Sequence, residues 1–405
     1  MRILISGASV AGPALAYWLN RYGFAVTVVE RAPALRKTGG HAVDLFRPAM
    51  DIVEQMGALD RVLAEKTGVE HLTMYREGHD KPIELELRRV LTAVSDRHVE
   101  IMRDDLSEIF HDATCDDVEY VFGDSIASIS DDGEVTFDSG REDRFDLVIG
   151  ADGLHSNVRR LIFGPESEFS TWIGAYLAVV SVPDHLGLDG RMEGIAGVGR
   201  MAAMVAPHMD DARAVFLFRT PEQLDYHYRD VARQKELLRE RFEGVGWEVP
   251  RLLAELDRTP AFYFDSITQL RLDNWSRGRV TLVGDAGHCP GPAVGGSTSL
   301  AVVGAYILAG ELAAYGGDHT RAYPAYEAEI GDYVRRSRTF AINAARRIVP
   351  GTPFELRALA GMVWLIDHLP AGLTRAAAKI SSRGMRLHDS IVLKDYSTHA
   401  VARAR

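Results

Sequence analysis

Cysteine is almost absent from this chain: Cys115 and Cys289 are the only two, far apart and in no metal-ligand spacing. Together they exclude a disulfide framework and a zinc site, and they fit a reducing, cytoplasmic home. An excess of basic charge is absent as well. With 46 Lys and Arg against 57 Asp and Glu, the formal net charge is -11. That balance argues against a nucleic-acid partner, because tracking a phosphate backbone needs a basic face. Membrane-length apolar runs are also lacking. Ser299 to Gly310 is cut short by Glu311, and Leu359 to Ile366 ends at Asp367, so both read as buried helices and no membrane partner is expected. The N-terminal MRILISGASVAGPALAYWL places Gly and Pro where a secretion signal keeps an unbroken apolar core. No internal repeat or low-complexity linker interrupts the chain.

What is present is enough apolar content, 46% of 405 residues, to bury a large core. RILIS (2–6) is a short apolar run, followed by a glycine-rich turn, a helical pattern from Pro13 that stops at Gly23, and a second apolar run, FAVTVVE. Strand, turn, helix and strand in so short a span make a βαβ unit, the smallest piece of a parallel dinucleotide-binding sheet. FDLVIGADG reads as another buried strand, while 172–182 and 212–219 alternate like half-covered antiparallel strands. After WSRGRVTLVGDAGH the pattern turns helical, with Ser297 to Tyr315 a long apolar helix and most of the remainder to about 390 helical. The nucleotide-type segments lie at 1–31, 145–160 and 279–315, so the cofactor domain is expected to be discontinuous. The expected architecture is α/β. Residues 1–75, 96–170 and 275–330 would form a Rossmann-like domain, 76–95 and 171–274 a β-rich substrate domain, and 331–405 a C-terminal helical region.

The first motif is Gly7-Ala8-Ser9-Val10-Ala11-Gly12, with Glu30 closing the second strand. Gly7 would make the sharp strand-to-helix turn. Ser9 is small enough to let a pyrophosphate approach the backbone, and Gly12 lets helix and strand pack closely. The phosphates would face the helix N-terminus. A carboxylate at Glu30 suits ribose hydroxyls and disfavours a 2′-phosphate, so FAD or NAD fits this slot and NADP does not. Two further motifs follow buried strands: Asp152-Gly-Leu-His-Ser156-Asn-Val-Arg159, and Gly284-Asp285-Ala-Gly-His288 ahead of a Pro292 to Gly296 turn.

These three motifs, in this order and spacing, resemble the flavoprotein aromatic hydroxylases of the para-hydroxybenzoate hydroxylase type, including the tetracycline-inactivating monooxygenases. The resemblance spans about the first 330 residues. It implies FAD held by the N-terminal turn, with Glu30 and Arg31 at the adenosine. Arg103 would reach the ribityl and phosphate region, Asp152 would lie near the pyrophosphate, and Arg159 would hold the following helix. Asp285 would bind ribityl or pyrophosphate hydroxyls, with Pro292, Gly295 and Gly296 along the flavin ring. Asp44 and Arg47 fall where the family lines the isoalloxazine. Backbone N–H groups at the start of the long apolar helix would stabilise negative charge on the flavin.

The implied activity is an NADH- or NADPH-driven monooxygenation, through a flavin C4a-hydroperoxide, of a small aromatic or polyketide-like substrate. O2 is the co-substrate, and the protein acts as a monomer or homodimer. No catalytic side chain is singled out, since the flavin carries the hard chemistry. Ser9, Ser297, Ser299 and Gly304 depart from the broad family pattern; serine is small enough for the turn to survive, while the changes at 299 and 304 bear on the fine contacts of the long helix. The alternatives are another FAD oxidoreductase on the same scaffold, a halogenase or a reductase, and a non-catalytic flavin-containing ligand-binding protein. The Trp-x-Trp-x-Ile-Pro signature of the halogenases is absent.

Several other residues have plainer readings. His288 and Cys289 are adjacent on a turn and cannot face each other as base and nucleophile. Tyr176, Met201, Met204, Phe216 and Phe218, with Phe262 and Tyr263, suit either a substrate pocket or a core. RRSRTF at 335–340 and the final AVARAR read as solvated basic helix faces.

Overall fold

The computed structural model describes residues 1–35, 39–87, 97–208, 211–259, 261–291, 296–368 and 389–399. The strand Arg2–Ser6 sits inside a six-stranded sheet, with Ala25–Glu30 and then Glu119–Phe122 on one side. On its other side lie Leu147–Gly150, Val280–Leu282 and the short Ser276–Arg277. All of these pairings are parallel except the outermost one. The four central strands are covered on both faces, which is why their sequences read as continuous apolar runs. The helices Ala11–Arg21 and Ser297–Ala314 pack into the same core.

The helix Ser297–Ala314 is long and apolar enough to cross a membrane by composition alone, yet 78% of it is buried inside the fold. Its acid, Glu311, is 4% exposed and accepts hydrogen bonds from the Tyr396 hydroxyl at 2.7 Å and from Lys394 at 2.8 Å. For this helix the expectation of burial is met; in the second apolar stretch, within Pro353–His368, Leu359 and Ala360 are only half-buried and Gly361 is exposed.

Seven strands make the second large sheet, in the order Phe262–Leu270, Ser170–Val182, Asp211–Arg219, Arg200–His208, Arg191–Gly197, His71–Arg76, His79–Glu86. Sequence placed 71–75 with the nucleotide domain, but the strand His71–Arg76 runs parallel to Arg191–Gly197 and belongs to this sheet. Likewise, helix His319–Ile348 runs through the boundary expected at 330.

Because side chains alternate along a strand, the sheet has two distinct faces. Tyr176, Ala178, Val180, Phe216, Phe218, Ala202, Met204 and Phe264 pack on the helices Val231–Phe242 and Val249–Ala254. The opposite face carries Ala175, Leu177, Val179, Leu217 and Ile267, with Met201, Val215 and Tyr263 beside them. That second face turns toward the nucleotide sheet, since Asp265 meets His155 and Gln269 meets the Pro290 carbonyl.

Candidate cofactor and substrate site

The order of the six-stranded sheet reverses at Arg2–Ser6, and ligands of such sheets bind in the crevice at the carboxyl ends of the strands beside that reversal. Gly7 and Ala151 meet there: Gly7 has φ 109°, and a Cβ added to it would stand 2.5 Å from the Ala151 oxygen. A Cβ on Gly12 would lie 1.9 Å from the Gly7 oxygen. No side chain larger than glycine fits either place, as the motif demands. The helix Ala11–Arg21 begins without a side-chain cap and without an acid in its first turn, so its N-terminal N–H groups are open to an anion. The N-terminus of Ser297–Ala314 is uncapped in the same way, entered through Gly296 at φ 82°.

Glu30 holds this turn together: its two carboxylate oxygens accept from the Ala8 and Ala32 backbone N–H groups at 2.9 and 2.8 Å. Ser9 meets the Ser107 hydroxyl at 3.3 Å, while Val10 and Ala11 are buried at the helix entry and Arg31 is exposed. Asp152 braces the start of the next helix, Asn157–Ile162, whose N-cap is Ser156. It accepts from the Ser156 hydroxyl and from the Asn157 and Val158 N–H groups.

Arg159 does more than hold that helix. Its buried guanidinium donates to the Ala286 carbonyl at 2.9 Å and to Glu166 at 2.9 Å. It therefore ties the turn bearing Asp152 to the turn bearing Asp285.

Arg103, on the helix Arg103–Asp112, lies within electrostatic range of His41, Tyr263 and Asp285. Its guanidinium makes no hydrogen bond or ion pair among the described residues. Burial raises the Asp285 pKa, an effect that Cys289 and Arg103 partly offset. Asp44 pairs with His98 at 2.7 Å. The Ser299 hydroxyl, at one of the positions departing from the family pattern, donates to the Asp44 carbonyl and accepts from the Phe46 N–H, each at 2.9 Å. It locks the start of the long helix onto the strand Ala42–Leu45. Arg47 is exposed, its backbone N–H bonded to Asp389. Pro292 and Gly295 lie outside the described residues.

The five residues named from sequence as a substrate pocket separate by face. Met201 lies on the face turned to the cofactor crevice. Tyr176, Met204, Phe216 and Phe218 point the other way, each fully buried against the covering helices. Their parity decides this, and nothing in a single strand's sequence says which face holds the ligand. The apolar floor on the side of the nucleotide sheet is instead Leu177, Val179, Val215, Leu217, Met201 and Ile267, with Ala341 and Val349 packed on part of it.

A charged cluster at the edge of this floor was not singled out from sequence. His155 donates to Glu166 at 3.0 Å and to Asp265 at 3.1 Å, and stacks on Tyr228. Tyr263 reaches the same Asp265 oxygen at 3.4 Å. Burial works against the charged imidazole, but the two carboxylates prevail and raise its pKa to about 10. His155 thereby ties the nucleotide sheet to the second sheet. A histidine inside the Asp152-to-Arg159 motif was the available signal, but its partner lies 110 residues away.

The plain reading of His288 and Cys289 fits the geometry. His288 is enclosed, its Nε2 against the Tyr326 hydroxyl at 3.1 Å, and burial lowers its pKa to about 3. Burial raises the Cys289 thiol well above its usual range. Neither group is an activated nucleophile or base.

Comparison with known proteins agrees with this arrangement. A family model described as an FAD binding domain matches residues 1–337. An uncharacterized protein of Mycobacterium tuberculosis is 40% identical, the match covering 97% of this chain and 99% of that protein. A flavin-dependent monooxygenase of Legionella longbeachae is 38% identical over 84% of this chain and 88% of its own length. Among solved structures, the tetracycline destructase Tet(51) superposes with a TM-score of 0.81 at 34% identity, covering 98% of this chain and 99% of that one. The chain belongs to the FAD-binding family of flavin-dependent monooxygenases, and FAD is its cofactor.

Proposed function

We propose that this enzyme uses NADH or NADPH and O2 to insert one oxygen atom into a small, flat, aromatic or polyketide-like molecule lying on the crevice-side face of the seven-stranded sheet. The observation that carries this is the apolar floor of Leu177, Val179, Val215, Leu217 and Met201 turned toward the crevice of Gly7, Arg103 and Asp285. In this reading Gly7 to Gly12 and Glu30 take the adenosine and diphosphate end of FAD, Arg103 neutralises the diphosphate, and Asp285 accepts from the ribityl chain. The bound flavin activates O2 and carries the oxygen transfer. The chain's own residues hold the substrate over the ring and keep water out, for which an apolar floor is suited. The likeness to a tetracycline destructase supports a polycyclic substrate. The protein acts in the cytoplasm as a monomer or homodimer.

The test is to load the purified protein with FAD and follow NADH and NADPH oxidation with and without tetracycline as a polycyclic probe under 18O2. Stimulated oxidation with one 18O atom in the product supports the reading. A flavin-loaded protein that oxidises neither nicotinamide, with any of a panel of phenols and polyketides, overturns it.

A further inference from the structure

The sequence RRSRTF at 335–340 reads as a solvated basic face, and for Arg335 and Arg336 it is one: both are exposed and pair with Asp332. Arg338 turns inward instead. Its Nε and Nη2 are shielded from solvent with no hydrogen-bond partner, and no ion pair forms among the described residues. On one side of it is Gln269, whose amide nitrogen donates to the Arg338 and Pro290 carbonyls at 2.6 and 2.9 Å. The Gln269 amide oxygen accepts from Arg271 at 3.4 Å. The charge felt at Arg338 is that of a second guanidinium, exposed Arg271, while burial keeps the neighbouring Cys289 thiol neutral. Burial and Arg271 lower the Arg338 pKa to about 10, which still leaves it cationic at neutral pH. Arg338 is half-buried, but shielding two nitrogens of a cation without a counter-charge is costly, and proteins keep such a group where a ligand supplies the anion.

Its position says which ligand. Ala341, on the next turn of the same helix, packs into the cluster of Leu177, Val179, Leu217 and Ile267, and Gln269 projects from the same sheet face as Ile267. Arg338 thus stands at the rim of the apolar floor, whereas the diphosphate end of the crevice already has Arg103. We infer that Arg338, with Arg271 at the mouth, clamps an anionic oxygen of the substrate, so that the molecule oxygenated here is a flat, apolar ring system bearing a carboxylate or an acidic enol. A guanidinium offers two parallel donors to such a group. An uncharged analogue leaves the buried cation unpaired, which is a strong basis for rejection. This rests on the proposed monooxygenase reading and narrows its substrate class.

The experiment is a binding titration of the FAD-loaded protein, followed by perturbation of flavin absorbance, with 2-hydroxy-1-naphthoate and with its uncharged amide. The wild type should hold the acid about tenfold or more tighter than the amide, the expected worth of a charge-assisted hydrogen bond. Arg338→Met should abolish that preference by weakening the acid and not the amide, and Arg338→Lys should restore part of it. Equal binding of the two probes by the wild type, binding of neither, or a preference that survives Arg338→Met overturns the clamp. If Arg338→Met does not retain FAD, the wild-type comparison and Arg338→Lys decide the matter. The KM for NADH should be unchanged in Arg338→Lys. A raised KM with unaltered acid binding would assign the cation to the nicotinamide nucleotide and overturn the proposal. Failure of the monooxygenase reading itself shows separately, as absent oxygen incorporation.

Discussion

The ionisation of His155 bears directly on how the two large sheets are joined. Its imidazole, near 6.5 when unpaired, titrates at about 10 between Glu166 and Asp265. The folded chain therefore binds a proton that the unfolded chain has released. The resulting stabilisation is fully present below about pH 6.5 and is lost as pH rises through 10. The gap in unfolding temperature between the wild type and His155→Gln should accordingly shrink from pH 6.5 to 10. A gap independent of pH would mean that the imidazole is neutral in the fold. If Asp285 accepts from the ribityl chain as proposed, Asp285→Ala should weaken FAD by about 1.5 to 3 kcal/mol. Full flavin content after extensive dialysis of that variant would remove Asp285 from the cofactor contacts.

Among the elements, the seven-stranded sheet separates stability from recognition by parity. Phe216 is fully buried against Phe242, so Phe216→Ala should cost about 3 to 5 kcal/mol of stability in denaturant unfolding, as large-to-small core changes do. It should leave the KM of any substrate found little altered in the folded fraction. Met201→Ala, on the crevice side, should do the reverse, changing substrate KM with a smaller loss of stability. If Phe216→Ala shifts KM while Met201→Ala does not, the floor is on the wrong face. The alternation in 172–182 and 212–219 was legible in the sequence, and both segments are strands, Ser170–Val182 and Asp211–Arg219. Which face turned toward the nucleotide sheet was not legible, because both faces are apolar and both are covered: one by Val231–Phe242 and Val249–Ala254, the other in part by Ala341 of His319–Ile348. Hydrophobic period reports that a face is covered, never by what.

For the whole molecule, the crevice lies between two sheets that meet through His155 and Asp265, through Gln269 and the Pro290 loop, and through the long helix His319–Ile348. FAD should therefore stabilise both sheets together. Adding FAD to the stripped protein at about a hundred times its Kd should add about 2.7 kcal/mol to the unfolding free energy. A single sharpened transition is expected. Two transitions, with only one responding to FAD, would show that the sheets unfold independently.

By itself the sequence determined the nucleotide half: strand, Gly7 turn, helix and Glu30 lie within thirty residues, and backbone geometry over so short a span is set by local sterics. It also carried the Asp152 and Asp285 turns, each directly after a buried strand. Only the tertiary structure decided the rest. Arg338 lies in a basic run that reads as surface, yet it is half-buried with two guanidinium nitrogens shielded, because Gln269, far away in sequence, receives its helix. His155 becomes a cation because Glu166 and Asp265 close on it from two segments. Arg159 ties the two motif turns to each other because the sheet sets their strands side by side. Contacts of that kind depend on which strands pair and which face turns inward, and a pattern along one chain does not record either.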